Sequence, residues 1–290
     1  MSGFPRAVCA LLLLACIALP AQAAGEQGRL LATGGAMQIE GAAGGGIVPW
    51  AVLAGYGTGD QNGGSAFHTR IDTGDYALRV TGAAWTLRNR VELSLARQRF
   101  ALPTLQGLLG LPNGVFEQDV LGAKLRLAGD LVYGDLPQFA LGIQHKRQRD
   151  FDIPRAVGAV DDSGTDIYLS ASRLFLGAAA GRNLLLNATV RATRANQTGL
   201  LGFGGDRCDA YAAVFEGSAA VLLNPRWAVG VEYRQKPDNL GFAAENDWRD
   251  AFVAWFPNKR VAVIAAWAGL GEIATLGGQD GWYLSIQLSQ

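Results

Sequence analysis

The sequence has no excess of charge, few cysteines, and no apolar run after its first residues that could form a membrane-spanning helix. Its 25 basic residues balance 25 acidic residues in a chain of 290. This balance argues against a nucleic-acid-binding protein, because such proteins carry a strongly basic surface. The longest uncharged run after the N-terminus, residues 41–59, contains seven glycines and Pro49. Each interior Gly would cost a helix about 1 kcal/mol, and Pro about 3 kcal/mol.

Residues 1–23 are predicted to be an export signal. Arg6 provides a short basic region, residues 8–19 are apolar, and Ala21-Gln22-Ala23 is a small-x-small cleavage site. The alternative is a lipoprotein signal, because Leu13-Leu14-Ala15 precedes Cys16. The apolar run continues past Cys16 to the cleavage site, which favours the first interpretation.

Cleavage of this signal would leave Cys208 as the one cysteine of the mature chain. No intramolecular disulfide is then possible, so the fold of this exported protein must be held together in another way. Backbone pairing around a closed sheet meets that requirement.

The last residues show the pattern of such a sheet. Trp282, Leu284, Ile286 and Leu288 alternate with polar or small residues, which places them on one face of a strand. An exported chain built of such segments is typical of a transmembrane β-barrel. We therefore predict an all-β fold, a twelve-stranded antiparallel up-and-down transmembrane barrel in the bacterial outer membrane.

We place this barrel in residues 47–290, with alternating short and long connections. An even number of strands puts both termini in the periplasm, where the turns are short. The predicted strands are residues 47–56, 76–85, 91–100, 119–128, 138–147, 165–174, 184–195, 210–222, 227–235, 248–256, 261–268 and 281–288.

Aromatic residues near the predicted strand ends suggest two girdles at the membrane surfaces. The predicted outer girdle is Tyr56, Tyr76, Phe100, Tyr211, Tyr233, Trp248, Trp267 and Trp282. The predicted inner girdle is Trp50, Trp85, Phe139, Phe175, Trp227 and Trp255.

Residues 24–46 do not show a clear alternation. Gly34-Gly35 and Gly44-Gly45-Gly46 would weaken a strand. This segment is expected to be a periplasmic tail, an extra strand or a plug inside the barrel.

Several stretches resemble a family of uncharacterised proteobacterial outer-membrane barrels, a domain-of-unknown-function family. They are Gly34-Gly-Ala-Met-Gln-Ile-Glu-Gly-Ala-Ala-Gly-Gly-Gly46, Val48-Pro-Trp-Ala51, Gly55-Tyr-Gly57, Val91-Glu-Leu-Ser-Leu-Ala-Arg-Gln98, Gly129-Asp-Leu-Val-Tyr-Gly-Asp-Leu-Pro137 and Glu232-Tyr-Arg-Gln-Lys-Pro-Asp-Asn-Leu240. The resemblance implies a fold class and a location, but it provides no catalytic residues.

The C-terminal strand also resembles the signal that barrel-assembly machinery recognises. Gln279, Gly281, Leu284 and Ile286 fit its polar-x-Gly-x-x-apolar-x-apolar pattern, although the chain ends in Leu288-Ser-Gln290 and not in an aromatic residue. We expect this machinery to be a partner during assembly. The folded barrel would contact outer-membrane lipid and lipopolysaccharide.

Mid-strand charges are expected to face the lumen, because Lys or Arg on the lipid face at the membrane midplane costs about 2–4 kcal/mol. The candidates for lining the lumen and selecting a solute are Arg79, Glu92, Lys124, Arg126, Lys146, Arg191, Glu232 and Arg234. We assign Arg97 and Arg99 to the outer surface, where they would face lipopolysaccharide phosphates. Glu40 and Glu216 could instead pair with the lumen bases and close the barrel.

Three functions follow from this pattern. A net-basic lumen favours a passive channel or uptake route for a small solute, and its cations would concentrate anions. A lumen closed by paired charges would favour a structural or surface-binding barrel. A lipid-modifying enzyme would need His68 or His145 beside a Ser or Asp at the membrane face, and the sequence suggests no such pair. We expect no enzyme activity, no cofactor and no metal. The loop Asp161-Asp-Ser-Gly-Thr-Asp166 does not fit the ligand spacing of an EF-hand.

Overall fold

Twelve strands form a closed antiparallel barrel in a computed structural model that describes residues 28–110, 113–242 and 244–290. Each strand pairs with the next along the chain, and the last strand pairs with the first, so the sheet has no free edge. The barrel strands are β3 (Gly63–Asp72), β4 (Ala77–Leu87), β5 (Val91–Ala101), β6 (Val115–Ala128), β7 (Gln138–Gln148), β8 (Ser163–Ala179), β9 (Arg182–Thr193), β10 (Ala212–Asn224), β11 (Trp227–Arg234), β12 (Trp248–Asn258), β13 (Val261–Gly269) and β14 (Asp280–Ser289). The predicted fold class is confirmed. The predicted export signal lies outside the described residues.

The first strand of the barrel differs from the prediction. Residues 47–56 do not belong to the barrel wall, and β3 lies within the stretch that we predicted to be a long outer loop, residues 57–75. The strand count stays at twelve because β3 replaces the wrongly predicted strand. The other eleven predicted strands overlap β4 to β14 with end shifts of a few residues.

Residues 28–57, which we call the lumen segment, lie inside the barrel. Their side chains are buried without interruption from residue 33 to residue 57. The segment contains a two-stranded ladder of β1 (Ala36–Met37) and β2 (Ala43–Gly44). An exposed link, residues 58–62, joins it to β3.

The lumen segment enters and leaves the barrel at the same end. The backbone N–H of Arg29 donates to the carbonyl of Tyr56 (2.9 Å), and Tyr56 N–H donates to the carbonyl of Gln290 (3.2 Å). Both ends of the segment therefore lie beside the C-terminus. We call this the short-turn end, because the connections between β4 and β5, β8 and β9, β10 and β11, and β12 and β13 all lie there.

The strand alternation separates an apolar outer face from an inner face that contacts the lumen segment. Large apolar side chains such as Leu121, Ile143, Val190 and Ile286 are about half exposed and form the outer band. Parts of both aromatic girdles are present on this face. They are Tyr211, Tyr233, Trp267 and Trp282 at one end, and Phe175, Trp227 and Trp255 at the other.

Five other residues assigned to the girdles lie inside the protein, so those assignments were wrong. They are Trp50, Tyr56, Tyr76, Phe100 and Trp248. Trp50 and Tyr56 belong to the lumen segment, and the other three fill the interior near the long-loop end. Tyr76, Phe100 and Trp248 do lie near strand ends, but their side chains point inward and not toward the lipid.

The inner face is apolar on one side of the barrel and polar on the other. Strands β3, β4, β12 and β13 point apolar side chains inward, including Phe67, Val80, Phe252 and Ile264, and these cluster with apolar residues of the lumen segment. Strands β5 to β11 instead point inward charged groups, amides and hydroxyls. The lumen segment therefore packs on one half of the wall and forms hydrogen bonds to the other half.

The loops opposite the short-turn end include two short helices, α1 (Pro103–Leu109) and α2 (Asp152–Ala156). The loop after β9 includes a 3-10 turn, Asn196–Gly199, and folds inward. Residues 196–205 of this loop are buried, and we call them the outer cap. The outer cap closes the barrel at the long-loop end.

Candidate functional site in the barrel lumen

Six of the eight residues that we proposed to line the lumen have buried side chains on its polar half. They are Glu92, Lys124, Lys146, Arg191, Glu232 and Arg234, each at most 3% exposed. Each lies at an inward position of its strand, between neighbours that point outward. Their ionic and hydrogen-bonding partners are the lumen segment, one another, and other inward side chains such as Asp166 and Glu216.

Arg79 lies on the outer face of β4, so its assignment to the lumen was wrong. The inward residues of β4 are Leu78, Val80 and their alternating neighbours. Because this part of the wall packs apolar groups against the lumen segment, its inner and outer faces cannot be told apart by hydrophobicity. Arg126 lies at an inward position of β6, but it is at the short-turn rim and not deep in the lumen. There it donates to Asp130 Oδ2 (3.2 Å) and to the carbonyl of Gly129 (2.8 Å).

Five adjacent strands present an alternating row of buried charges, which we call the charge row. Its members are Lys146 on β7, Asp166 on β8, Arg191 on β9, Glu216 on β10 and Arg234 on β11. Lys146 Nζ lies 2.6 Å from Asp166 Oδ2, and Arg191 Nε lies 2.5 Å from Glu216 Oε1. The Arg191 guanidinium also donates to Asp166 Oδ2 (3.2 Å).

Glu40 of the lumen segment completes this cluster. Its carboxylate accepts a hydrogen bond from Lys146 Nζ and another, of 2.8 Å, from Arg234. The Arg191 guanidinium lies 3.4 Å from Glu40 Oε2. Three cations of the wall therefore converge on one carboxylate, and the side chain of Glu40 is completely buried. Burial of this many charges is tolerated only because each one has an ionic partner.

Sequence reasoning missed Asp166 as a lumen residue, because the loop Asp161–Asp166 was considered only as a possible metal site. It lies inside β8 with the same phase as the buried Tyr168 and Ser170. It also lies inside the predicted strand of residues 165–174, so the alternation of that strand would have revealed it.

A second ionic group holds the lumen segment by its backbone. Glu92 accepts hydrogen bonds from the backbone N–H of Ala43 (3.1 Å) and of Ala54 (2.8 Å). Lys124 Nζ donates to the carbonyls of Ala43 (2.7 Å) and Val52 (2.9 Å), and it lies 3.4 Å from Glu92. This pair satisfies backbone groups that would otherwise be buried without a partner.

A third group contains two buried carboxylates. Glu232 accepts hydrogen bonds from the backbone N–H of Gly46 (2.6 Å) and Ile47 (2.9 Å) and from Ser218 Oγ (2.7 Å). Asp250 on β12 lies directly across the ladder from Glu232. A side chain at Gly45 would collide with Glu232, since a Cβ there would lie 1.9 Å from Oε1.

Neutral side chains of the wall bind the remaining backbone of the lumen segment. Gln98 donates to the carbonyl of Ile39 (2.8 Å), Gln138 to that of Ala51 (2.6 Å), and Thr189 to that of Pro49 (2.9 Å). Two cavities in the interior beside the lumen segment are small, about 30 Å³ next to Trp50 and about 10 Å³ next to the outer cap. Each has room for about one or two waters, so neither is a path for a solute in this conformation. A larger cleft of about 460 Å³ lies at the short-turn rim, where its lining includes Leu30, Leu31 and Thr33.

A family model described as "Protein of unknown function (DUF3034)" matches residues 33–287. The chain belongs to this family. The match covers the barrel and most of the lumen segment, so the family model includes both parts of the protein. A search of curated proteins found no match.

Solved structures similar to this DUF3034 protein are outer-membrane proteins with low sequence identity. The NanC porin has 9% identity and a TM-score of 0.46, covering 78% of this chain and 98% of its own. Omp33 of Acinetobacter baumannii has 9% identity and a TM-score of 0.44, covering 79% and 97%. The toluene transporter TbuX of Ralstonia pickettii has 10% identity and a TM-score of 0.39, covering 80% and 90%. At these identities the likeness concerns the fold alone.

The DUF3034 protein is an outer-membrane β-barrel of a Gram-negative bacterium, as predicted. Its apolar outer band faces the lipid. The helices within the described ranges are all too short or too polar to cross a membrane. Across the same ranges, no group of three or more His, Cys, Asp or Glu is arranged to hold a metal ion.

Both histidines of the DUF3034 protein lie on the outer face of the barrel, each beside a threonine. His68 Nδ1 is 2.9 Å from Thr81 Oγ1, and His145 Nδ1 is 3.0 Å from Thr165 Oγ1. A lipid-modifying enzyme of the kind we considered needs a Ser or Asp beside the imidazole. The described contacts of these two side chains do not provide one.

The outer cap is held by a buried ion pair. Lys236 Nζ lies 2.7 Å from Glu245 Oε2 and 2.9 Å from Gln197 Oε1, while the backbone N–H of Gln197 donates to Glu245 (3.0 Å). Burial lowers the pKa of Lys236 and raises the pKa of Glu245, and their mutual attraction opposes both shifts. Lys146 links the lumen segment to the outer cap, because its Nζ contacts both Glu40 and the carbonyl of Thr198 (3.3 Å) in the cap.

Proposed function

We propose that this protein is a gated outer-membrane channel for a small solute, and that the lumen segment is its gate. The observation that supports this is the way in which the lumen is filled. One continuous segment enters and leaves at the short-turn end, and wall side chains bind its backbone. Such a segment can withdraw as a unit, without breaking a strand pair of the barrel.

Withdrawal of the lumen segment, together with an opening of the outer cap, would expose a polar route along β5 to β11. The charge row, the pair of Glu92 and Lys124, and the neutral donors would then line an aqueous passage. A barrel of twelve strands has an interior wider than its own side chains fill. In the closed conformation, the same groups bind the lumen segment and no route is open.

Planar-bilayer recordings of the full chain test this proposal. We expect the wild-type protein to be closed most of the time. The double substitution Glu92→Ala with Glu232→Ala removes acceptors for four backbone N–H groups of the lumen segment. It should raise the frequency of openings at least tenfold, which corresponds to a loss of about 1.4 kcal/mol of closed-state stability.

Glu117→Ala is the matched control, because Glu117 pairs with Arg99 on the outer face of the barrel. Its recordings should match the wild type. Heat-modifiable gel migration establishes that each variant still forms a barrel. A double variant that forms a barrel and never conducts would contradict the channel.

A second candidate is a permanently closed barrel whose loops bind partners at the cell surface. The outer cap favours it, since Lys146, Lys236 and Glu245 hold the cap over the lumen. The recordings distinguish the two functions, because a permanently closed barrel predicts no openings in the wild type and none in the double variant.

A further inference from the structure

The tip of the lumen segment is shaped to present one carboxylate. Residues 38–42, which we call the finger, form the turn between β1 and β2. The backbone N–H of Gly41 donates to the carbonyl of Gln38 (2.9 Å), and that of Gln38 donates to the carbonyl of Ala42 (2.9 Å). Gly41 has a φ of +95° and packs on the backbone of Leu95, where a Cβ would lie 3.3 Å from its carbonyl. The finger thereby brings Glu40 against the wall.

The wall at this point has one positive charge more than it has negative charges. Lys146, Arg191 and Arg234 provide three cations, while Asp166 and Glu216 provide two carboxylates. The carboxylate of Glu40 makes the group neutral. Withdrawal of the finger would therefore leave a site with a single uncompensated positive charge, which attracts an anion.

The three cations also provide a donor geometry that suits a carboxylate. Lys146 and Arg234 both donate to Glu40 Oε1, and Arg191 lies 3.4 Å from Oε2. Gln38, in the finger itself, donates to Oε2 (3.1 Å). Guanidinium and ammonium groups placed on both oxygens of a carboxylate form short, charge-assisted hydrogen bonds.

We propose that Lys146, Arg191 and Arg234 form a binding site for the carboxylate of a small monoanionic solute, and that Glu40 occupies this site in the closed conformation. A monoanion restores the neutrality that Glu40 provides, whereas a dianion would leave one negative charge in excess. The role of the site in passage rests on the channel function proposed above. Binding of the carboxylate does not depend on the channel function, and it can be measured in a protein that does not conduct.

Chemical rescue of the full-length Glu40→Ala variant tests the site. The substitution removes the carboxylate and leaves room for one. We expect the thermal unfolding midpoint of the variant in detergent to fall well below that of the wild type. Sodium acetate should then restore most of this loss, whereas sodium chloride at equal ionic strength and neutral acetamide should not.

Asp60→Ala is the matched control, since it removes a carboxylate from the exposed link and not from the site. Acetate should leave its midpoint unchanged relative to chloride. Glu40→Gln should also be insensitive to acetate, because the amide fills the space. If Glu40→Ala does not form a barrel, Glu40→Ser replaces it with the same expected rescue.

Equal effects of acetate and chloride on Glu40→Ala and Glu40→Ser would overturn the site, whatever the bilayer recordings show. Rescue without any conductance would support the site and contradict only the channel. In open channels, the site further predicts that acetate is more permeant than potassium. A reversal potential that favours the cation under a potassium acetate gradient would contradict the role of the site in passage.

Discussion

Whether a charged side chain points into the barrel or out of it decides how much it contributes to the stability of the fold. Arg191 and Arg79 are both arginines on barrel strands, yet Arg191 is 1% exposed in the charge row and Arg79 lies on the outer face. The guanidinium of Arg191 also lies 5.0 Å from the ring centroid of Tyr168. Its loss would leave Glu216 and Asp166 buried with fewer partners. Loss of Arg79 would leave no buried group unpaired.

We expect Arg191→Ala to destabilise the folded protein by about 3–5 kcal/mol, because it breaks a buried ionic cluster by removing one partner. Arg79→Ala should change the free energy of unfolding by no more than about 0.5 kcal/mol, as surface substitutions usually do. Urea unfolding in lipid vesicles, followed by tryptophan fluorescence, measures both. Equal effects of the two substitutions would show that the inner and outer faces of the wall are assigned incorrectly.

At the scale of strands and loops, a strand is predicted most directly when one face contacts lipid and the other face contacts a polar lumen. Strand β7 illustrates this, since Leu141 and Ile143 face outward while Gln144 and Lys146 are buried. Strand β3 has the opposite pattern. Phe67 and Ile71 point inward, while His68 and Arg70 point outward. It was missed because the usual barrel pattern has apolar residues on the outside.

The lumen segment misled the prediction for a related reason. Ile47, Val48, Trp50 and Val52 form an apolar run of strand length, but all of them are buried inside the barrel. A run that is apolar on both faces gives no alternation from which to infer its surroundings. Most charges of the candidate site were predicted from strands in which outward and inward residues alternate, although Asp166 was missed. Their partner Glu40 could only be suggested, because its contacts depend on the tertiary fold.

The outer cap makes a separate prediction at this scale. Gln197 and Thr198 adopt positive φ values of 46° and 61°, which are unfavourable for residues with a side chain. Contacts from Lys236 and Glu245 hold this backbone in place. Glu245→Ala removes the partner of Lys236 and the acceptor for Gln197 N–H. It should raise the hydrogen-exchange rate of residues 196–205 by at least tenfold.

Mass spectrometry after hydrogen exchange of the protein in nanodiscs measures this rate. Glu272→Ala is the control, because Glu272 contacts Gln197 through its backbone carbonyl and not through its carboxylate. Its exchange in residues 196–205 should equal that of the wild type. Unchanged exchange in Glu245→Ala would show that the ion pair does not hold the cap.

The whole molecule consists of two parts that are stabilised in different ways. The barrel is stabilised by backbone pairing around a closed sheet, in which every strand has two neighbours. The lumen segment has the two-residue ladder of β1 and β2 and a few hydrogen bonds between its own turns, and the wall provides its remaining contacts. A change within the segment should therefore release it without unfolding the barrel.

Gly44→Val tests this separation. A Cβ at Gly44 would lie 2.2 Å from the carbonyl oxygen of Val48 and 2.8 Å from the Cα of Pro49, so the backbone of the segment has to move. Gly59→Val, in the exposed link, is the matched control, because a Cβ there meets nothing within 4 Å. We expect proteases added from the short-turn end to cleave the lumen segment of Gly44→Val many times faster than that of Gly59→Val. Both variants should keep the heat-modifiable migration of an intact barrel. Loss of that migration in Gly44→Val alone would show that barrel and lumen segment fold as one unit, and a gate that withdraws from an intact barrel would then be excluded.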